Sequence, residues 1–331
     1  MFDRIACALA ITMLAPACAV QESASNPSAN PKTAESVPDG SAWQPYPGAS
    51  KDAEFLKKTP AAFRPFVERC DPWDDWDKPA PPFKIHGSTY YVGTCGIAAI
   101  LVANDDGLAL FDSGTEGGAR IVEDNIRTLG FDPLNVKALV VSHEHFDHAG
   151  GMAYLQKLTG AAIYAGQAAS PVIRSGQSDP KDPQAGMHEP MEPVPGSVRS
   201  VKNGEIGTVA GLEITAISTP GHTYGAMSYQ WKSCEGDQCL TLVYADSLSP
   251  VSSDEYKFSE NEGYVTSYFD GLERLGRLDC DILLTPHPSH SQMLKRMRTD
   301  TMIEPTACAY YAIGKARDLE KRLRREAEET E

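Results

Sequence analysis

Basic residues are in short supply in this chain of 331 residues: 30 Lys and Arg stand against 45 Asp and Glu, for a formal net charge of −15. Such a surface makes nucleic acid a poor partner, because binding phosphates takes a surplus of Lys and Arg along one face, and a nuclease is disfavoured on the same ground. The apolar stretch at 5–14 is too short to span a bilayer. Eight cysteines are too few for a small disulfide scaffold, although in an exported enzyme they are expected to pair. No internal repeat recurs at a fixed period. What is present, 41% hydrophobic and 23% charged residues, is ample for one large core or two small domains.

The N-terminus reads as an export signal. Arg4 supplies a positive charge, the apolar stretch follows, and Ala17-Cys18-Ala19 has the small-x-small form of a cleavage site. A signal peptide over 1–19 predicts a periplasmic protein with no membrane attachment after cleavage. Its removal takes Cys7 and Cys18 and leaves six cysteines, an even number. The alternative is a lipoprotein with Cys18 lipidated, which Ala15-Pro16-Ala17 matches poorly. Residues 20–42, rich in Ser, Pro, Ala and Asn, form an expected disordered leader, and 43–331 are expected to be a single domain.

Pro and aromatic residues crowd 43–83, including Cys70-Asp-Pro-Trp-Asp-Asp-Trp76, and suggest irregular structure draped over something else. Apolar runs at 97–102 and 108–111, separated by Asn104-Asp-Asp-Gly107, predict a hairpin. Further strands are expected at 138–141, 212–217, 226–231, 240–244 and 281–284. Helical spacing predicts helices at 117–129, capped by Gly130, and at 151–158, closed by Gly160, with two more at 264–275 and 306–328. Proline-rich sequence from 170 to 196 predicts a long surface loop of the kind that lines active sites. Interleaved strands and helices predict an α/β sandwich with helices outside and sheets inside.

Only eight histidines occur, and three fall within His143-Glu144-His145-Phe146-Asp147-His148, at the end of the strand expected at 138–141. A strand with a tight exit is what a metal site needs to fix its ligands. In an extended exit His143 and His145 face the same way, whereas Asp147 and His148 come a turn later. Four ligands at this spacing exceed what one tetrahedral ion with an open position requires, so a second metal is implied. The helical His-Glu-x-x-His motif fails, because Asp147 stands four residues after His143.

Ser142-His143-x-His145-x-Asp147-His148-x-Gly150-Gly151 resembles the signature of the metallo-β-lactamase superfamily. Thr219-Pro-Gly-His222-Thr223, Tyr244-Ala-Asp246-Ser247 and Leu283-Leu-Thr-Pro-His287-Pro288 match that family's later motifs in order. The resemblance spans roughly 43–315 and implies an αββα sandwich with one or two metals along the sheet edges. Tyr244-Ala-Asp-Ser-Leu-Ser249 and Leu284-Thr-Pro-His-Pro288 are similar to the third subclass of the zinc-dependent β-lactamases.

That resemblance implies two zinc ions, the first on His143, His145 and His222 and the second on Asp147, His148 and His287. It implies that Asp246 either bridges both metals, as in thioesterase and lactonase branches, or stands behind a ligand. Asp112 is expected to orient a ligand histidine or simply to close a turn. Ser247 and Ser249 are expected to bind a substrate carboxylate or to cap their turn. The implied disulfides are Cys70 with Cys95, Cys234 with Cys239 and Cys280 with Cys308. Tyr224 stands where relatives often have proline. His86, His188 and His290 lack ligand-spaced companions and read as surface or loop residues.

The implied reaction is hydrolysis of a lactam amide by a zinc-bound hydroxide, with Asp147 as proton acceptor as well as ligand, in a monomer whose partner is a small-molecule β-lactam. An exported thioester or lactone hydrolase is the rival. A periplasmic zinc-binding protein with a closed site is opposed by the mixed nitrogen and oxygen ligands.

Overall fold

Apolar runs pair into two sheets in the computed structural model, which describes residues 59–298 and 302–329. The expected signal peptide, the expected leader and residues 43–58 lie outside the described residues. The first sheet holds seven strands in chain order: β1 (Phe83–His86), β2 (Thr89–Tyr91), β3 (Ile100–Asn104), β4 (Gly107–Phe111), β5 (Val136–Val140), β6 (Ala162–Gly166) and β7 (Val198–Val201). In the second, β8 (Ile206–Val209), β9 (Leu212–Ser218), β10 (Met227–Glu235), β11 (Gln238–Tyr244) and β12 (Ile282–Leu284) lie side by side in that order. The helices are α1 (Arg64–Arg69), α2 (Glu116–Thr128), α3 (Phe146–Ala149), α4 (Met152–Thr159), α5 (Ala169–Ser175), α6 (Glu262–Gly276), α7 (Met293–Arg298) and α8 (Ala307–Glu328).

Side-chain alternation explains the layers. Along β3 and β4, Ile100, Val102, Ala109 and Phe111 point between the sheets, where they meet Ile214, Tyr229, Trp231, Leu242 and Tyr244. Leu101, Leu108 and Leu110 point the other way, against Ala119, Val122 and Ile126 of α2 and Met152 and Leu155 of α4. On the far side of the second sheet, Val243 and Leu283 meet Tyr268, Leu272 and Leu275 of α6 and Tyr311 and Leu319 of α8. Each sheet is thus covered on both faces, giving an αββα sandwich. The pairs β4–β5, β5–β6 and β6–β7 are parallel, so each strand leaves at the same edge of the sheet, and successive exits collect side chains there.

Local chemistry accounts for the boundaries. Asn104 pairs with Gly107 across a two-residue turn. The Thr115 side chain accepts from the Gly118 amide and starts α2, and Gly130 and Gly160 follow α2 and α4 at φ +87° and +70°, where glycine carries no Cβ penalty. β10 runs past the apolar stretch expected at 226–231, because its ladder with β11 continues to Glu235 and Gln238 and is set by backbone pairing rather than by apolarity. The stretch 170–196 is not wholly a loop: α5 occupies its start, with Val172 and Ile173 buried. Likewise 43–83 is not wholly irregular, since α1 buries Phe66 and Val67. Neither short helix has enough periodic residues to announce itself in sequence. Disulfides join Cys70 to Cys95, Cys234 to Cys239 and Cys280 to Cys308, the last tying the start of β12 to α8.

Phe111 is fully buried and stacks on Trp231 with ring centroids 4.8 Å apart. Replacing it with alanine opens a cavity between the sheets. Phe111→Ala is expected to cost about 3–5 kcal/mol, read as a lower urea midpoint at unchanged slope.

Candidate metal centre

The chemistry gathers where β4, β5, β9, β11 and β12 end. Asp112 directly follows β4 in the left-handed region at φ +57°. Its Oδ1 accepts from the Ser142 amide at 2.7 Å, and its Oδ2 accepts from the Ser142 hydroxyl at 2.7 Å and from the Tyr244 hydroxyl at 2.7 Å. One carboxylate therefore fastens the exits of β4, β5 and β11 to one another. Burial raises its pKa to about 6, against the opposing pull of His148 and these donors.

His143, next after Ser142, is wholly buried. Its Nδ1 lies 2.7 Å from Asp246 Oδ1, while its Nε2 has no hydrogen-bond partner among the described residues. His145 Nε2 lies 3.2 Å from both oxygens of Asp182. His222, after β9, places Nδ1 2.9 Å from the Ser249 carbonyl oxygen. Each imidazole commits one nitrogen to an oxygen acceptor and leaves the other for its neighbours. One donor atom from each of the three lies within 4.8 Å of the others. This is how metal-ligating histidines are oriented. Burial, with the neighbouring imidazoles, holds His143 and His222 well below the usual histidine pKa, so both keep a lone pair at neutral pH.

A second group stands beside it. Asp147 Oδ2 lies 2.9 Å from His148 Nε2 and 3.2 Å from His287 Nε2, and those two nitrogens are 3.3 Å apart. Burial would raise the Asp147 pKa, but the charge and hydrogen bonds of His148 and His287 outweigh it and hold the carboxyl well below the usual range. Two ligands about 2.0–2.1 Å from a tetrahedral zinc sit roughly 3.3 Å from each other, and the second group already has nearly that spacing. Together with the orphaned, fully buried His143 Nε2, whose isolation is costly without a partner, both donor sets fit divalent cations. His143, Asp147 and His148 also form a group within 4.8 Å, so the two sets adjoin.

The remaining expected residues fall around these sets. Asp246 spends Oδ1 on His143, and its Oδ2 lies 3.4 Å from the Leu248 amide. Asp112 Oδ2 is 3.8 Å from His148 Nδ1, beyond hydrogen-bond reach. Ser247 is fully buried, and its hydroxyl has no partner among the described residues. Ser249 is half-buried and accepts from Lys315 Nζ at 2.7 Å. Tyr224 stacks on Tyr264 of α6, ring centroids 3.9 Å apart.

Of the histidines read as surface residues, His188 is exposed. His86 is buried, because its strand edge packs on β10, where Ser233 donates to the His86 carbonyl at 2.9 Å. His290 is half-buried, its ring 4.9 Å from His287, since one turn of chain brings it back beside the second donor set. The exposed ring of Trp76 stands 6.4 Å from His287 and forms a wall.

Several residues at the site escaped the sequence reading, among them Gln184, whose Nε2 lies 3.3 Å from His222 Nε2. Asp182, in the proline-rich segment, is buried against His145, and nothing in its neighbours in sequence marks it. Glu144, between the first two histidines, points away from them and accepts from the Thr223 hydroxyl at 2.8 Å and the Gly225 amide at 3.3 Å, clamping the turn that carries His222. Burial, then the nearby Asp182 charge, raises its pKa to about 7. Alternation along an extended exit was the available signal for Glu144.

An αββα sandwich whose strand exits gather two histidine-rich donor sets is the architecture of a metal-dependent hydrolase. The chain belongs to the metallo-β-lactamase superfamily, whose family description matches residues 92–235. It is 50% identical to the MIM-2 metallo-β-lactamase, covering 81% of this chain and 99% of that one with a TM-score of 0.76. It is 38% identical to MEM-A1, a subclass B3 metallo-β-lactamase from a soil metagenome library, covering 77% of this chain and 100% of that one with a TM-score of 0.74. It is also 28% identical over 209 residues to a hydroxyacylglutathione hydrolase of Xanthomonas campestris pv. campestris. That match spans 63% of this chain and 66% of the length of that relative.

Asp246→Asn keeps a side chain of the same shape behind His143 but weakens the acceptor. Metal affinity is expected to fall roughly 10–100-fold, measured by chelator competition, with the fold unchanged by circular dichroism.

Proposed function

We propose that this protein is an exported, zinc-dependent β-lactamase that hydrolyses the lactam amide of β-lactam antibiotics and confers resistance to them. The observation that carries the reading is the commitment of Asp246: one oxygen holds His143 Nδ1 at 2.7 Å and the other faces the Leu248 amide at 3.4 Å, which supports a carboxylate standing behind a ligand over one bridging two donor sets. Likeness to MIM-2 over nearly its whole length supports the same substrate class. His143, His145 and His222 would hold one zinc, and Asp147, His148 and His287 a second.

Zinc, when bound, supplies Lewis acidity that makes a nucleophile of water near neutral pH and polarises a carbonyl. The residues of the chain do the rest. Asp246, Asp182 and the Ser249 carbonyl fix the tautomers of His143, His145 and His222. Asp147, kept ionised by His148 and His287, would take the proton of the attacking water. Trp76, its ring 6.4 Å from that of His287, shields one side of the site, and Ser249, whose carbonyl holds His222, would offer its hydroxyl to a substrate carboxylate.

Three disulfides support an oxidising compartment such as the periplasm, and no helix among the described residues is long and apolar enough to cross a membrane. The partner in this reading is a small β-lactam bound by a monomer. The hydroxyacylglutathione hydrolase relative favours a second reading, a thioester or lactone hydrolase built on the same donors.

Purified mature protein is expected to hydrolyse a chromogenic cephalosporin, to lose turnover with a chelator and to regain it with zinc, at two zinc ions per chain. Two bound zinc ions without lactam turnover would move the function to thioesters or lactones. His222→Ala is expected to lower zinc content and to reduce turnover by more than the roughly 10–100-fold that outer partners of a metal site cost; full activity in that variant would remove His222 from the ligand set.

A further inference from the structure

Trp73 stands in the loop that follows α1, and its backbone is left-handed at φ +59°. A bulky residue holds that conformation only where its surroundings impose it, and such strain gathers at functional positions. The surroundings here are firmly tied. The Trp73 amide donates to Ser289 Oγ at 2.8 Å, two residues beyond His287. Asp74 accepts from the Asp71 amide at 2.9 Å and from Lys78 Nζ at 2.7 Å, Cys70 is bonded to Cys95, and the Thr94 hydroxyl donates to the Trp76 carbonyl at 2.5 Å. At Gly96 a Cβ would lie 2.5 Å from the Asp74 carbonyl oxygen, so only glycine lets the loop lie this close.

What this scaffold carries is not packed away. Trp73 is 60% exposed, more than any other aromatic residue among the described residues. Its ring meets that of His290 edge to face with centroids 5.2 Å apart, His290 lies 4.9 Å from His287, and His287 lies 6.4 Å from Trp76. Four rings are thus joined by successive contacts, and one of them, His287, belongs to the second donor set. An indole gains by being covered with another apolar surface, yet the chain holds this one in solvent on a strained backbone. A ring fixed in this way loses little conformational freedom when a ligand covers it.

We propose that Trp73 is a specificity-determining residue: with His290 it forms an aromatic shelf beside the second donor set, and the shelf takes a flat, aromatic substituent of the substrate. The identity of the substrate as a β-lactam rests on the function proposed above; the shelf does not. Trp73 reaches His287 only through His290, so its removal should weaken binding of the aryl group and leave bond cleavage unchanged.

The test compares wild type, Trp73→Ala, Trp73→Gly and Trp73→Phe, all zinc-loaded and checked by thermal melting. Substrates are two matched pairs of cephalosporins, phenyl against methyl, one pair varied on the acylamino arm and the other on the ring arm. In at least one pair wild type should have the lower KM for the phenyl member. Trp73→Ala should raise that KM about 5–20-fold with kcat within about threefold, while KM for the methyl member stays at the wild-type value. Trp73→Gly accepts the left-handed backbone without strain, so it removes the ring alone; it should match Trp73→Ala in KM, and it decides if Trp73→Ala does not fold. Trp73→Phe should recover most of the difference. Equal effects on phenyl and methyl members, or none in either pair, would overturn the proposal. Sedimentation over a range of concentrations tests a different occupant, a second copy of the chain: a dimer that Trp73→Gly dissociates would assign the ring to an interface and remove the shelf. Calorimetric binding of 3-phenylpropane-1-thiol and of propane-1-thiol reads the shelf without turnover. A wild type that hydrolyses no lactam but prefers the phenyl thiol, and loses that preference in Trp73→Gly, refutes the β-lactam reading and sustains the shelf. A wild type without the preference, or a preference that Trp73→Gly keeps, refutes the shelf.

Discussion

The buried carboxylate of Asp112 holds the strand exits of the sandwich in place. Three donors reach it at 2.7 Å, two from Ser142 and one from Tyr244, so the ends of β4, β5 and β11 cannot move independently. Its own backbone is bent into the left-handed region, which a non-glycine residue holds only where surrounding contacts over-determine it. Everything at the site inherits this fastening. Ser142 delivers His143 and the loop beyond it, while Tyr244 precedes Ala245 and Asp246, whose carboxylate then meets His143 from the opposite sheet. The two sheets are joined by packed aromatic rings in the interior and by this polar junction at the edge.

That junction sits in an electrostatically crowded space. Five imidazoles and several carboxylates share a largely dry volume, and the imidazoles repel one another if charged. The chain resolves the crowding by assigning each group a fixed state. Asp147 is ionised against His148 and His287, His145 leans on Asp182, and His143 and His222 stay neutral. Among the described residues, His143 Nε2 and His148 Nδ1 are left buried without a partner. A cation between the donors would answer the first of these, so the stability of this region and its metal content are coupled. The rigid turn at 246–249 extends the same logic outward, since it links Asp246 and the Ser249 carbonyl to α8 through Tyr311 and Lys315.

Much of the fold was legible in sequence. The hairpin at 104–107, the helices ended by Gly130 and Gly160, and the long C-terminal helix follow from turn chemistry and apolar spacing, and they stand within a few residues of where that chemistry puts them. The short edge elements, β1, β7, β8, α1 and α5, were not legible. Each has too few residues to set up a period, and each is held by contacts with distant chain rather than by its own propensity. At the site, the histidine cluster was readable because four potential ligands within six residues are hard to explain otherwise. Asp182 was not, because one aspartate in a proline-rich segment looks like any turn residue until the fold lays it against His145. His86 and His290 mislead for the same reason, since an isolated histidine carries no local mark of what will pack around it.

By itself, the sequence determined which residue types stand at strand exits, in what order and with what spacing, because ligand identity and alternation are local properties of the chain. It likewise determined the layered α/β architecture, through the periods of its apolar residues. Only the tertiary structure decided which acceptor orients each imidazole, that Asp246 faces His143, and that a lysine 66 positions after Ser249 touches it. Those relations depend on how two sheets and their covering helices close on one another, and contacts between residues far apart in sequence leave no trace in the spacing of either.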